Sequence, residues 1–166
     1  MWNKIISFFT GFKEYKLEDT IVITCEEVEE IAKRSLYETD AYTYDSTYRC
    51  PTEAWLMNRV AWEYKKIAYD FKLEQYYAER NDCENKAELF HIVACKINND
   101  DALDSVGIAV GLMSYDQWGA DGWHCIPWAI CDVNGEKKIR YIEPAGDPAF
   151  IELTKSEKKS ARMVWM

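Results

Sequence analysis

The chain has 166 residues, 48% of them apolar and 14% aromatic, and a formal net charge of −9. That length suits one domain with one continuous core, and the composition excludes a disordered chain. The acidic balance excludes nucleic acid as a partner, because there is no basic stripe to meet a phosphate backbone; Lys155, Lys158 and Lys159 are offset by Glu152 and Glu157 and form a solvated face.

In residues 1–14 a short apolar stretch is broken by Ser7, lacks a small-x-small cleavage site and runs into Lys13 and Glu14. It is too short to span a membrane and is expected to be an amphipathic arm packed on the domain. With no export signal, the expected compartment is the cytoplasm. There Cys25, Cys50, Cys83, Cys95, Cys125 and Cys131 remain thiols.

Residues 20–25 alternate with β-branched side chains and predict a short strand. Thr24 followed by Glu27 forms a capping-box pattern, so a helix is expected from Cys25 to about Tyr37. Residues 38–50, rich in Tyr, Asp, Ser and Thr, read as a loop. Pro51 and Thr52 open a second helix, with Trp55, Val60, Trp62, Ile67, Ala68 and Phe71 on its apolar stripe as far as Leu73. The pattern lapses at Arg80-Asn81-Asp82. A third helix starts at Cys83, with Ala87, Phe90, Ala94 and Ile97 on one face, and ends in the polar run 98–101.

From residue 106 the period becomes extended. Strands are expected over 106–113, 123–133 and 137–143, the last two joined by Asn134-Gly135, a strong hairpin signal. The expected fold is α+β: a mainly helical N-terminal part (1–78) packed on a C-terminal antiparallel sheet. The whole of 1–166 is one domain, with a core of 80–148 and a tail of 151–166.

Two features single out chemistry. Cys83 follows Asp82 at a helix start, where unpaired N–H groups and the helix dipole stabilise a thiolate. If Asn134-Gly135 is a two-residue turn, His124 and Glu143 share one sheet face as diagonal neighbours ~7–8 Å apart. A carboxylate there fixes the imidazole tautomer. Asp132 shares the face but lies roughly 26 Å along the strand, out of reach.

The run Asp82-Cys83-Glu84-Asn85-Lys86-Ala87 resembles the nucleophile helix start of transglutaminase-like cysteine peptidases. Gly122-Trp123-His124 and Tyr141-Ile142-Glu143-Pro144 resemble the rest of that signature, as found in small phage-encoded members. The resemblance implies a papain-like fold in which Cys83, His124 and Glu143 are the catalytic residues of an acyl-transferring enzyme. Its substrate would be a protein or peptide, cleaved or transferred at an amide or isopeptide bond with no cofactor. Gln75, Tyr76 or Tyr77 would supply a second oxyanion donor, Asp82 is a further candidate beside the oxyanion position or else simply the helix cap, and Trp123 and Trp128 would wall the groove. Glu84-Asn85 replaces the family's commoner paired aspartates, Glu143 stands where Asp is usual, and Pro127 interrupts the histidine strand.

Two other readings compete. Zinc could be gathered from His91 and Cys95 with the hairpin's His124, Cys125 and Cys131, but there is no Cys-x-x-Cys, and Cys125 faces away from His124. A non-enzymatic protein of binding or inhibitor type is the alternative to catalysis. The sequence leaves the oligomeric state open.

Overall fold

The computed structural model describes residues 17, 20–37, 39–72, 82–102, 104–117 and 122–166. The N-terminal arm and Gln75, Tyr76 and Tyr77 lie outside the described residues.

Strand β1 (Val22–Thr24) leads directly into helix α1 (Cys25–Ser35). The Thr24 hydroxyl accepts from the Glu27 N–H at 3.3 Å, and the Glu27 carboxylate accepts from the Thr24 N–H at 3.0 Å. That reciprocal cap starts the helix, and Val28, Ile31 and Ala32 form its buried stripe. Strands β2 (Ala41–Tyr42) and β3 (Thr47–Arg49) follow.

The next helix begins as a π-helical segment, Trp55–Val60, and continues as α2 (Ala61–Asp70). Trp55, Leu56, Val60, Tyr64 and Ala68 are buried, whereas Trp62 and Phe71 are exposed. A uniform 3.6-residue period put those two on the apolar stripe; the wider i→i+5 turns carry Trp62 away from it, and Phe71 lies past the helix end at Asp70. Helix α3 (Cys83–Asp101) is capped by Asp82, whose Oδ1 accepts from the Asn85 N–H at 3.1 Å. It buries Ala87, Phe90, Val93, Ala94 and Ile97.

The remaining strands are β4 (Gly107–Ile108), β5 (Val110–Asp116), β6 (Trp123–Val133), β7 (Glu136–Glu143), β8 (Ala149–Ile151) and β9 (Arg162–Trp165), with a short helix α4 (Lys155–Lys159) before β9. A six-stranded sheet runs β2-β9-β5-β6-β7-β8, and a three-stranded sheet runs β1-β3-β4. β2 pairs parallel with β9, β3 parallel with β4, and the other pairings are antiparallel.

Side chains alternate across the large sheet. Ile126, Trp128 and Ile130 of β6 join a core with Val28, Ile31 and Ala32 of α1. Ala129 and Cys131 join a second core with Tyr64 of α2 and Phe90, Val93 and Ile97 of α3. Helices therefore cover both faces.

This arrangement corrects the expected architecture. The first 78 residues are not a helical layer on a later sheet, since they supply three strands, one of which extends the main sheet. Two of the three, β2 and β3, fall in the stretch read as loop. Strands of two or three residues show no alternation to detect, and their parallel partners β9 and β4 lie more than fifty residues away in sequence.

The β6–β7 hairpin has the expected register, from Val133 opposite Glu136 to Trp128 opposite Tyr141. Asn134 and Gly135 have φ of 56° and 83°, the left-handed pair that a type I′ turn requires. The ladder ends at Trp128. The next residue is Pro127, which has no N–H to donate, and from there β6 and β7 diverge.

Candidate functional site

Past Pro127 the β6–β7 ladder has ended, and there Cys83 meets β6. It is the first residue of α3, at the helix end whose N–H groups lack intrahelical partners. Its Sγ accepts from the Cys125 N–H at 3.4 Å, a donor left free where the ladder with β7 has stopped. On the neighbouring strand position His124 Nε2 meets Glu143 Oε2 at 2.8 Å. The second Glu143 oxygen accepts from the Ala145 N–H at 2.9 Å, which fixes the carboxylate in the turn after β7. Tyr115, directly opposite His124 on β5, places its ring edge-on to the imidazole with centroids 5.6 Å apart.

The electrostatics follow from these contacts. The hydrogen bond with His124 lowers the Cys83 thiol pKa; partial burial opposes it, and the Cys125 N–H and the imidazolium charge reinforce it. His124 is raised to about 9, first by its bond to Cys83 and then by Glu143, against the effect of burial. Burial pushes Glu143 up, but the His124 and Ala145 hydrogen bonds and the charges of His124 and Lys86 outweigh it, so its pKa falls. Both shifts favour the charged pair, thiolate beside imidazolium, over the neutral one.

No other cysteine behaves this way. Burial raises Cys50 and Cys125 to about 12 and raises Cys131 and Cys95 as well, while Cys25 is raised by its bond to Glu26. All six cysteines are free.

A cleft of about 450 Å³, which Cys125 lines, opens between the first two turns of α3 and the β5–β9–β2 edge. Glu84 and Glu88, one helical turn apart, line one wall. Tyr42, Tyr44 and Trp165 line the other, with Ser114 and Cys125 at its floor. The wall is held from within: buried Tyr48 accepts from the Tyr44 and Asp45 N–H groups at 2.8 and 2.7 Å and donates to the Met166 carbonyl at 3.2 Å. The Met166 N–H in turn donates to the Tyr42 carbonyl at 2.9 Å.

The sequence pointed to Cys83, His124 and Glu143, and the structure brings the three side chains together; Asp82 caps the helix that carries Cys83. Trp123 is half-exposed and lies under the Arg162 guanidinium, 4.4 Å from its ring centre. Trp128 is not a groove wall. It is fully buried, and its indole N–H donates to the Trp165 carbonyl at 3.1 Å, so it reaches the cleft only through Trp165. Sequence reasoning missed the aromatic wall. Tyr42 and Tyr44 lay in the supposed loop, and Trp165 in the supposed tail; only the density of tyrosines at 37–48 hinted at a surface. Among the described residues no three His, Cys, Asp or Glu side chains gather as for a metal ion, and no helix is long and apolar enough to cross a membrane. His91 Nε2 and Cys95 Sγ meet at 3.4 Å along α3, and Cys95 packs against the second core.

No family model and no curated protein matches this chain. Its fold is similar to that of a lectin from Polyporus squamosus. A crystal structure titled as that lectin bound to the human-type influenza-binding epitope Neu5Aca2-6Galb1-4GlcNAc matches with a TM-score of 0.65 at 17% identity, over 87% of this chain and 49% of that one. A second, titled "PSL1a-E64 complex", matches with a TM-score of 0.57 at 18% identity, over 87% of this chain and 50% of that one. The chain thus spans about half the length of the chains it matches. These findings overturn the expected membership of the transglutaminase-like cysteine peptidases, with its phage-encoded relatives. They overturn equally the papain-like assignment and the acyl-transferring hydrolase that the resemblance implied: a six-residue helix start and two strand ends repeat a motif, whereas the shared fold over 87% of the chain is that of the lectin structures.

Proposed function

We propose that this chain is a ligand-binding module for a neutral oligosaccharide, held in the cleft between α3 and the β2–β9 edge. The observation that carries this reading is the wall chemistry. Tyr42 and Tyr44 are 67% and 76% exposed and stand with Trp165 across from Glu84 and Glu88. Aromatic faces pack against the C–H faces of sugar rings, and carboxylates and the Ser114 hydroxyl accept from or donate to sugar hydroxyls. The structures of like fold are of a lectin whose title names a bound glycan. That epitope carries an acid group, which two glutamates and a net charge of −9 would repel, so the favoured ligand here is uncharged.

Cys83, His124 and Glu143 have defined parts in this reading. Cys83 carries the thiol whose pKa is lowered, His124 the imidazole that bonds it, and Glu143 the group that orients the imidazole. Together they place a fixed ion pair at the end of the cleft, beyond Cys125.

The test is a screen of neutral and sialylated oligosaccharides by tryptophan fluorescence, repeated with Tyr44→Ala. Neutral glycans should bind, and the exposed tyrosine's loss should weaken them about tenfold, the worth of one aromatic contact. The reading fails if no neutral glycan binds, or if amides are hydrolysed at a rate abolished by Cys83→Ala.

A further inference from the structure

Cys83 and Cys125 come from distant parts of the chain and meet at the end of the cleft. The Cys125 N–H donates to Cys83 Sγ at 3.4 Å, so the reactive sulfur lies against the backbone that carries the second thiol. Both cysteines are partly exposed, and Cys125 lines the cleft floor. Adding covalent bond lengths on either side of that contact limits their Cα separation to roughly 8 Å. A disulfide spans ~4.4–6.8 Å, so a side-chain rotation with about 1 Å of backbone shift closes the distance. Cys125 has left β7 past Pro127 but stays paired with Ser114 of β5, so the shift falls to Cys83 in the first turn of α3.

We propose that Cys83 and Cys125 are a peroxide-sensing pair, in which a hydroperoxide oxidises Cys83 and Cys125 resolves the product to an intramolecular disulfide. In the first step the Cys83 thiolate attacks the outer peroxide oxygen. An S–O bond forms, the O–O bond breaks, and the departing oxygen takes a proton from the His124 imidazolium to leave as water or an alcohol. In the second step the Cys125 sulfur attacks the Cys83 sulfenic acid. The S–S bond forms, hydroxide leaves, and the Cys125 proton converts it to water. Two thiols lose two electrons, and the peroxide gains them.

The environment divides the roles. Cys83, whose thiol pKa is lowered by His124 and the Cys125 N–H, reacts first; Cys125, raised to about 12 by burial, resolves more slowly. Sulfenic acid therefore accumulates before the disulfide forms. Closure draws Cys125 out of the cleft floor and removes the thiolate that faces His124. Nothing in this chemistry depends on a glycan occupying the cleft.

The experiment treats the native chain with hydrogen peroxide, traps sulfenic acid with dimedone, and maps peptides by mass spectrometry. A Cys83–Cys125 linkage should form in the monomer. Iodoacetamide labelling of Cys83 should fall about tenfold and return with dithiothreitol. Cys125→Ser should form no linkage and should accumulate the dimedone adduct on Cys83. The proposal is overturned if wild-type Cys83 proceeds to sulfinic acid without a linkage, if it pairs with another cysteine, or if Cys125→Ser protects Cys83 from over-oxidation as well as wild type does. Glycan binding is measured on the same samples, so failure of the cleft reading registers separately.

Discussion

Gly111→Ala should be among the most damaging single-methyl additions available to this chain. Gly111 lies in the middle of β5, directly opposite Trp128, and gives room to that indole. A methyl group at this position would lie 1.9 Å from the Trp165 carbonyl oxygen, and 2.9 Å from both Met166 Cα and Trp128 Nε1. Two of those three atoms are backbone, so no rotamer change relieves the contact. Reaching an ordinary separation of ~3.5 Å displaces β9 by roughly 1.5 Å. The shift breaks the 3.1 Å bond from the Trp128 indole to Trp165, leaving a buried donor unsatisfied at a cost of about 1–3 kcal/mol. Overpacking adds about 1–3 kcal/mol. The total of about 2–6 kcal/mol corresponds to a fall in Tm of roughly 5–20 °C for a chain of this size. Differential scanning calorimetry reads the shift directly. A variant melting within about 2 °C of wild type would refute the packing account of the β5–β9 crossing.

The ion pair makes two further predictions. In Glu143→Gln the titration midpoint of the His124 ring protons, about 9 in the wild type, should fall by about one unit, because one of the two hydrogen bonds that raise it loses its charge. A midpoint unchanged in the NMR titration would mean that Glu143 does not orient the imidazole. The folded pKa of His124 lies above its ordinary 6.5, so its contribution to stability is complete below pH 6.5 and is lost as pH rises through about 9. Urea melts of wild type and His124→Ala should therefore differ most near pH 6 and converge above pH 9, and a gap that widens with pH would contradict the assignment.

The parts of the fold legible in the sequence are those set by local chemistry. The Thr24–Glu27 cap, the Asp82 cap and the Asn134-Gly135 turn each depend on residues within three or four positions of one another, and each forms as written. The turn fixes the register, and the register carries His124 to Glu143. The rest is non-local. β2 is defined only by its parallel partner β9, over a hundred residues later, and neither has the length to show a period. The π-helical turn at Trp55–Val60 leaves no mark in composition, yet it decides that Trp62 faces solvent. The cleft was unreadable for the same reason: its walls are Tyr42 and Tyr44 from one end of the chain and Trp165 from the other, brought together by β2–β9 pairing and by buried Tyr48.

The family resemblance misled through this asymmetry between local and non-local information. A cysteine at a helix start and a histidine paired with a strand carboxylate are short-range devices, and any fold with a helix beside a hairpin can host them. What places Cys83 against this particular hairpin is Pro127, which ends the β6–β7 ladder at Trp128 and leaves the Cys125 N–H free to meet the thiol. One residue thus has opposite effects on fold and site: it removes a rung from the sheet, and the missing rung is where the sulfur sits. The same break carries Cys125 away from β7 and toward the cleft floor beside Glu84. Ion pair and second thiol therefore share one structural feature, the end of the β6–β7 ladder, whereas the aromatic wall beside them depends on the β2–β9 pairing.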